Sequence, residues 1–339
     1  MSNTAWLGCL LLAVAVASSS GAAARALEAG TGWTTGEPLR VRNASPVTQL
    51  FGLPRMLGPL AQADHLELTL LLEHGNSFTG RVAGSSALVM DGSTTVASLA
   101  LRGGAGARWE WGLEVPYVHH GGGFTDGFIE EFHDLFGFPD GARHAAPRNR
   151  LDYRVIDEGG TVVEITGSEG HLGDVRAWVG YRVHRTPGRE AVLRMMIEAP
   201  TGEVEDLSGS ESTDAALWLE LVDVRALERL NTTITLAAGV TAPGGGGVLA
   251  EERHDLVPHA HLGLHYPLGR RVTLRGQIEG HADVADSRVP HLAEGGLLGT
   301  LGSSIRLSPE WRLDLALVED LTPHRAPDVV FVIMLGARW

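Results

Sequence analysis

The stretch Val330-Phe331-Val332-Ile333-Met334-Leu335-Gly336-Ala337-Arg338-Trp339 decides how this chain is read. Successive side chains of an extended strand point to opposite sides, so Phe331, Ile333, Leu335, Ala337 and Trp339 fall on one face. A strand with one apolar face that stops on an aromatic residue is the pattern expected of the closing strand of an outer-membrane β-barrel. That pattern points towards a lipid-facing sheet and away from a soluble enzyme.

The same alternation recurs upstream. Leu66, Leu68, Leu70 and Leu72 alternate with His65, Glu67, Thr69 and Glu73, with Leu71 out of pattern. Trp109, Trp111, Leu113, Val115 and Tyr117 alternate with Arg108, Glu110, Gly112 and Glu114. Val175, Ala177, Val179, Tyr181 and Val183 do so against Asp174, Arg176, Gly180 and Arg182, and Ala191, Leu193, Met195 and Ile197 against Arg194 and Glu198. Further segments of this kind are 215–221, 234–240, 260–266, 272–278, 297–307 and 311–317. With their flanking residues they read as strands of about 9–12 residues, the length a tilted membrane-spanning strand needs. A soluble β-sandwich alternates too. Strand length, short connections alternating with long ones, and Trp109, Trp311 and Trp339 gathered near the short-turn end favour the barrel. An aromatic content of 6% is low for that class.

The expected fold is therefore all-β: an antiparallel up-and-down transmembrane β-barrel over 61–339, with about twelve strands in a range of about 10–14. One short helix is expected in a long extracellular loop, 118–150. Pro187-Gly188, Leu268-Gly269-Arg270 and Ser308-Pro309 read as tight periplasmic turns, and 200–212, 243–257 and 282–294 as further long outer loops. Two chain ends on one side require an even strand number. On that ground 84–90 reads as loop, and 151–166 as a hairpin that either adds two strands or rises above the membrane. A turn at 268–270 would pair Tyr266 with Val272 and His259 with Glu279, keeping both apolar faces on lipid. Residues 27–60, which hold Pro38, Pro46, Pro54 and Pro59, do not read as a spanning strand and are placed in the periplasm or the lumen.

Residues 1–26 read as a signal peptide. Their apolar run, Trp6 to Ala17, is too short to span a bilayer, small residues follow, and Ala24-Arg25-Ala26 offers a cleavage site. Cys9, the one cysteine, lies inside that run without a lipobox, so the rest has none to pair. Net charge is −14 and all 27 basic residues are arginine, a balance that argues against a nucleic-acid partner. No stretch after Leu27 is long and apolar enough for a membrane helix, so a crossing has to use closed strands. The expected location is the cell outer membrane. The expected partners are its lipid and the barrel-assembly machinery, engaged through the strand ending at Trp339.

The polar alternates mark a lumen. Arg176, Arg182, Arg194, His259, His261, His265, Arg275 and Glu279 are expected to line it, either tuning a water-filled bore or filling a narrow one with ion pairs. In the 118–150 loop Phe128, Phe132 and Phe136 have i, i+4 spacing, with Ile129 and Leu135 beside them and Thr125 or Asp126 able to cap the helix. They read as a lumenal constriction or lid, or else as a face packed on the barrel rim. Glu130, Glu131, His133 and Asp134, with His119 and His120, match no metal-site spacing, so no metal or cofactor is assigned. Leu207 to Asp214 is rich in hydroxyls but has no G-x-S-x-G elbow. A base from another loop, His133 or His171, would be needed for nucleophilic chemistry. No catalytic residue is assigned, and the balance is against an enzyme. The Gly244 to Gly247 run lacks the Lys-Ser/Thr of a phosphate loop.

Several stretches together resemble the bacterial family termed domain of unknown function 3187. They are Phe51-Gly52-Leu53-Pro54, the segment from Pro116-Tyr117 to Arg143 with Gly127-Phe128-Ile129-Glu130 and Phe132-His133-Asp134, and Asn149-Arg150-Leu151. Further on come Gly173-Asp174, Pro200-Thr201-Gly202 with Ser208-Gly209-Ser210, Val318-Glu319-Asp320-Leu321 and Ala326-Pro327-Asp328-Val329. The resemblance runs from near residue 50 to the C-terminus. It implies an exported, outer-membrane-like barrel and supplies neither an activity nor a catalytic residue. The expected function is a passive pore or small-solute transport channel, the solute being unspecified. The alternatives are a plugged structural or surface-binding barrel and a barrel hydrolase acting on lipid or ester.

Overall fold

The computed structural model describes residues 33–125, 127, 147–157, 160–322 and 325–339. The signal-peptide reading and the helix carrying Phe128, Phe132 and Phe136 lie outside these residues. Among the described residues fifteen strands follow one another. They are β1 (Leu66–Ala83), β2 (Ser86–Ala105), β3 (Trp109–Gly121), β4 (Asp152–Asp157), β5 (Gly160–Ile165) and β6 (Glu169–Leu172). Then come β7 (Val175–Thr186), β8 (Arg189–Ala199), β9 (Asp214–Leu227), β10 (Thr232–Ala242), β11 (Val257–Leu268) and β12 (Val272–His281). The last three are β13 (Leu297–Arg306), β14 (Trp311–Asp320) and β15 (Val329–Arg338).

Twelve of them, β1 to β3 and β7 to β15, pair antiparallel with their neighbours, and β15 pairs with β1 from Glu67↔Arg338 to Asn76↔Val329. The sheet is a closed up-and-down barrel, and closure leaves the ring no edge strand. Outside, Leu68, Leu70, Leu72, Leu217, Leu219 and Ile333 are exposed. Their alternates Glu67, Thr69, Glu73, Glu220 and Met334 are buried inside. Trp109, Trp311 and Trp339 are all exposed at the end where the turns are short.

Two sequence expectations are corrected. Residues 84–90 are not a loop, because β2 begins at Ser86. Eleven of the segments read from sequence are ring strands, and β2 is the twelfth. Its inward residues include Val96 and Ala100 beside Ser98 and Arg102, so it lacks the polar-apolar alternation that marks its neighbours. The turn between β11 and β12 has the expected three residues but lies at 269–271. Tyr266 therefore faces Leu274, and His259 faces His281. A shift of two residues keeps every side chain on its face, which is why the alternation could not detect it.

The hairpin β4–β5 adds no strand to the ring. It pairs with Ala87–Asp91 in the part of β2 that runs past the barrel rim. Its Tyr153, Val155, Val163 and Ile165 join Leu88, Val204, Leu207, Val248, Val284 and Leu292 in one buried apolar cluster at the long-loop end. Loops from around the rim thus converge into a cap.

Space inside is tight where glycine faces a large ring. A Cβ on Gly112 would lie 2.1 Å from Cζ2 of Trp178, which stands opposite it on β7. Gly112→Ala is expected to destabilise the barrel by about 1–3 kcal/mol through overpacking, read from urea unfolding in detergent.

Candidate functional site

The lumen is occupied by the protein's own residues 33–62, nearly all buried. The segment starts at the short-turn end, where Trp33 Nε1 donates to Glu310 O at 3.0 Å. Arg312 and Arg338 stack on the Trp33 ring, 4.1 and 3.8 Å from its centroid. The chain climbs to Phe51 under the cap, where Arg253 lies 4.8 Å from the ring centroid. It then descends to Ala63, which bridges Gly104 at the short-turn end.

Irregular backbone withdrawn from water needs other partners for its N–H groups. The wall supplies carboxylates. Glu220 accepts from Leu57 N at 3.1 Å and Gly58 N at 2.6 Å, and Glu190 from Leu60 N at 3.2 Å. Glu110 accepts from Ala61 N at 2.7 Å and Glu198 from Gly52 N at 3.2 Å. Gln277 clamps Leu39 from both sides, accepting from its N at 2.6 Å and donating to its O at 3.1 Å.

Ion pairs join segment to wall. Arg40 meets Glu67, and Arg55 meets Glu73, with Nη1–Oε1 at 2.8 Å. Glu37 meets Arg312 and Arg338. Burial alone would raise the Glu37 carboxyl, but Arg338 and Arg312 overcome that and hold it at about 2. Apolar contacts complete the seam. Leu39 and Val41 pack on Val330, Val332 and Met334, while Met56 and Leu57 pack with Trp178 and Trp218.

The residues read from sequence as lumen-lining have these places. Arg194 is fully buried, donates to Glu110 at 2.7 Å and to Gly58 O at 2.8 Å, and forms an ion pair with Glu220 at 2.7 Å. Arg176 meets Glu198, and Arg182 donates to Glu190 at 2.9 Å. Arg275 donates to Ser304 Oγ at 2.5 Å and to Thr35 O at 3.1 Å. His261 bridges Glu279 at 2.9 Å and Thr235 at 3.0 Å, and His265 contacts Thr235 at 2.9 Å. His259 is buried and has no hydrogen-bond partner of good geometry among the described residues. The charged pairs among these groups are therefore spread over several separate clusters, with His259 in none of them. Sequence reasoning did not single out the segment side of these pairs, Glu37, Arg40 and Arg55. The available signal was arginine and glutamate recurring in a non-periodic stretch.

The hydroxyl-rich loop bonds to itself and to Asp174, Gly244 and Arg253. Ser210 has no exposed surface and donates to Ser212 O at 3.0 Å, and Ser212 donates to Asp214 at 3.0 Å. His171 lies instead against Asp206 at 3.0 Å and Glu169 at 3.7 Å. Space remains at the short-turn end, a cavity of about 200 Å³ whose lining includes Glu37, Glu67, Arg102, Arg338 and Trp339.

A closed twelve-strand antiparallel barrel with an apolar outside and a charged inside defines the fold class of the outer-membrane channels. Within it, the chain belongs to the family described as protein of unknown function (DUF3187), which it matches over residues 12–339. Among solved structures it is similar to an outer membrane channel from Pseudomonas putida F1, with TM-score 0.54 and 10% identity over 83% of this chain and 97% of that one. Looser likenesses are NanC porin (TM-score 0.43, 9% identity, 79% and 97%) and KdgM porin (0.42, 8%, 80% and 98%). No curated protein matches.

Glu220 accepts from two backbone N–H groups of the segment and also pairs with Arg194. Glu220→Ala is expected to lower the unfolding free energy by about 3–5 kcal/mol, because it leaves a buried guanidinium and two amides short of partners. Glu220→Gln should lose less. Urea unfolding in detergent, with limited proteolysis reporting release of residues 33–62, measures both.

Proposed function

We propose that this protein is an outer-membrane channel for small solutes, shut in this conformation by residues 33–62. Its short turns would face the periplasm and its cap the outside. The observation that carries the reading is the character of the seam. Residues 33–62 are held all along their length by carboxylate–amide bonds and arginine–glutamate pairs, while their apolar contacts are divided among three separate clusters. Buried ion pairs hold a structure less tightly than apolar packing of equal volume, and water can replace each of their bonds once the segment moves. Such a seam suits a part that leaves its seat. The apolar cap over Phe51 favours a second reading, a permanently filled structural barrel.

Planar-bilayer recording separates the two. The full chain is expected to be mostly silent, and a variant lacking residues 33–62 to give stepwise ohmic conductance. A deletion variant that keeps its β-sheet circular dichroism and heat-modifiable gel mobility, yet stays silent, would overturn the channel reading. Membrane embedding has its own test. Leu217→Arg, on the outward face, is expected to cost about 2–4 kcal/mol in lipid if it lies near the bilayer midplane. It should cost far less in a sheet that faces water.

A further inference from the structure

The short-turn end of the barrel carries a charge opposite to that of the chain. Net charge is −14, and every basic residue is arginine. Yet arginine flanks each short turn of the ring. Arg108 stands exposed between β2 and β3, and Arg185 and Arg189 on either side of the β7–β8 turn. Arg225 and Arg229 are exposed where β9 gives way to β10, and Arg270 and Arg271 between β11 and β12. Arg306, at the end of β13, is half-exposed. The exposed acids of this end are Asp64, Glu228 and Glu310. The long-loop end is the reverse, with Glu203, Glu205, Glu211, Glu251, Glu252 and Asp255 exposed.

Part of the ring is already compensated. Arg189 meets Asp223 at 2.7 Å, and Arg185 reaches Glu190 at 4.0 Å. Arg225, Arg229, Arg270 and Arg271 form no ion pair among the described residues. The ring also borders an aromatic belt. Trp109, Trp111, Trp311 and Trp339 are exposed at this end. Arg108 Nη1 donates to Tyr181 Oη at 3.1 Å, and the Tyr181 and Trp109 rings lie 4.7 Å apart. Tryptophan and tyrosine gather at the headgroup level of a bilayer, so these guanidinium groups stand level with lipid phosphates. Exposed leucines adjoin them: Leu230 beside Arg229, Leu268 just before the 269–271 turn, and Leu307 beside Arg306. A cation next to an oily side chain suits an amphiphile, whose anionic head and hydrocarbon tail meet both.

We propose that this arginine ring is a binding surface for anionic phospholipids, which it gathers into the leaflet at the short-turn end. The guanidinium fork matches phosphate oxygens in pairs, which an ammonium cannot do. The inference goes beyond the channel reading. It uses that reading's placement in a bilayer and is independent of conduction.

The test is tryptophan quenching in phosphatidylcholine bilayers that hold the full chain, by phosphatidylglycerol or phosphatidylcholine with brominated acyl chains. Among the described residues the exposed tryptophans all lie at the short-turn end, while Trp33, Trp178 and Trp218 are buried, so quenching reads that leaflet. Phosphatidylglycerol is expected to be preferred about three- to fivefold at low salt, the scale of one basic side chain near an anionic headgroup. Raising salt from about 0.01 M to about 1 M shortens the screening length from about 30 Å to about 3 Å and should bring the ratio close to one. The combined variant Arg225→Gln, Arg229→Gln, Arg270→Gln and Arg271→Gln should at least halve the preference at low salt. Arg81→Gln, at the long-loop end, should leave it unchanged. If the combined variant loses heat-modifiable gel mobility, the salt dependence of the unaltered protein decides. A ratio near one at low salt would overturn the proposal and leave the ring to a soluble acidic partner. A ratio that salt does not move, or that the folded combined variant retains, would overturn it too. Quenching by neither lipid would remove the bilayer placement itself, and the proposal with it.

Discussion

Everything inside this barrel depends on one constraint: a stretch of non-repetitive backbone withdrawn from water must find a partner for each amide. Helices and sheets solve this internally, and residues 33–62 do so only locally, chiefly at the 3-10 turn Thr48–Leu50. The wall solves it for them. Glutamates that project from ring strands turn their oxygens on Leu57, Gly58, Leu60 and Ala61, and arginines then neutralise several of the same carboxylates. A carboxylate bonded to an amide on one side and a guanidinium on the other is better satisfied than either contact alone would leave it. The density of charge in the lumen thus follows from what fills it.

Much of the barrel was legible because a strand that is apolar outside and polar inside alternates with a period of two. The ring strands with Leu68-Leu70-Leu72 or Trp109-Trp111-Leu113 outside announce themselves. The hidden strand, β2, shows where that legibility stops. Its lumenal residues Val96 and Ala100 touch protein rather than water, so no polar alternate was required. Register was less visible still, because sliding β12 by two residues against β11 changes every pair and no face.

The lumen was readable in kind but not in arrangement. Arg194, Arg275 and His261 stand on the inward faces that alternation assigns them, yet their partners come from residues far away in sequence, such as Gly58 and Thr35. One overlooked signal lay in the last strand itself. Val330, Val332 and Met334 oppose Phe331, Ile333 and Leu335, so β15 is apolar on both faces. A strand between lipid and open water would not be. Strands apolar on both sides are covered on both sides, and the cover here is Leu39 and Val41.

Arg338 belongs to three things at once. It stands on the final strand, reaches Glu67 on the first, and holds Glu37 of the segment. The weld that turns a ribbon into a ring is therefore also a tether for the ring's contents. Thermodynamic reciprocity follows: whatever favours seating of the segment favours annealing of the two terminal strands, and to the same extent. Sealing and filling are two readings of one equilibrium.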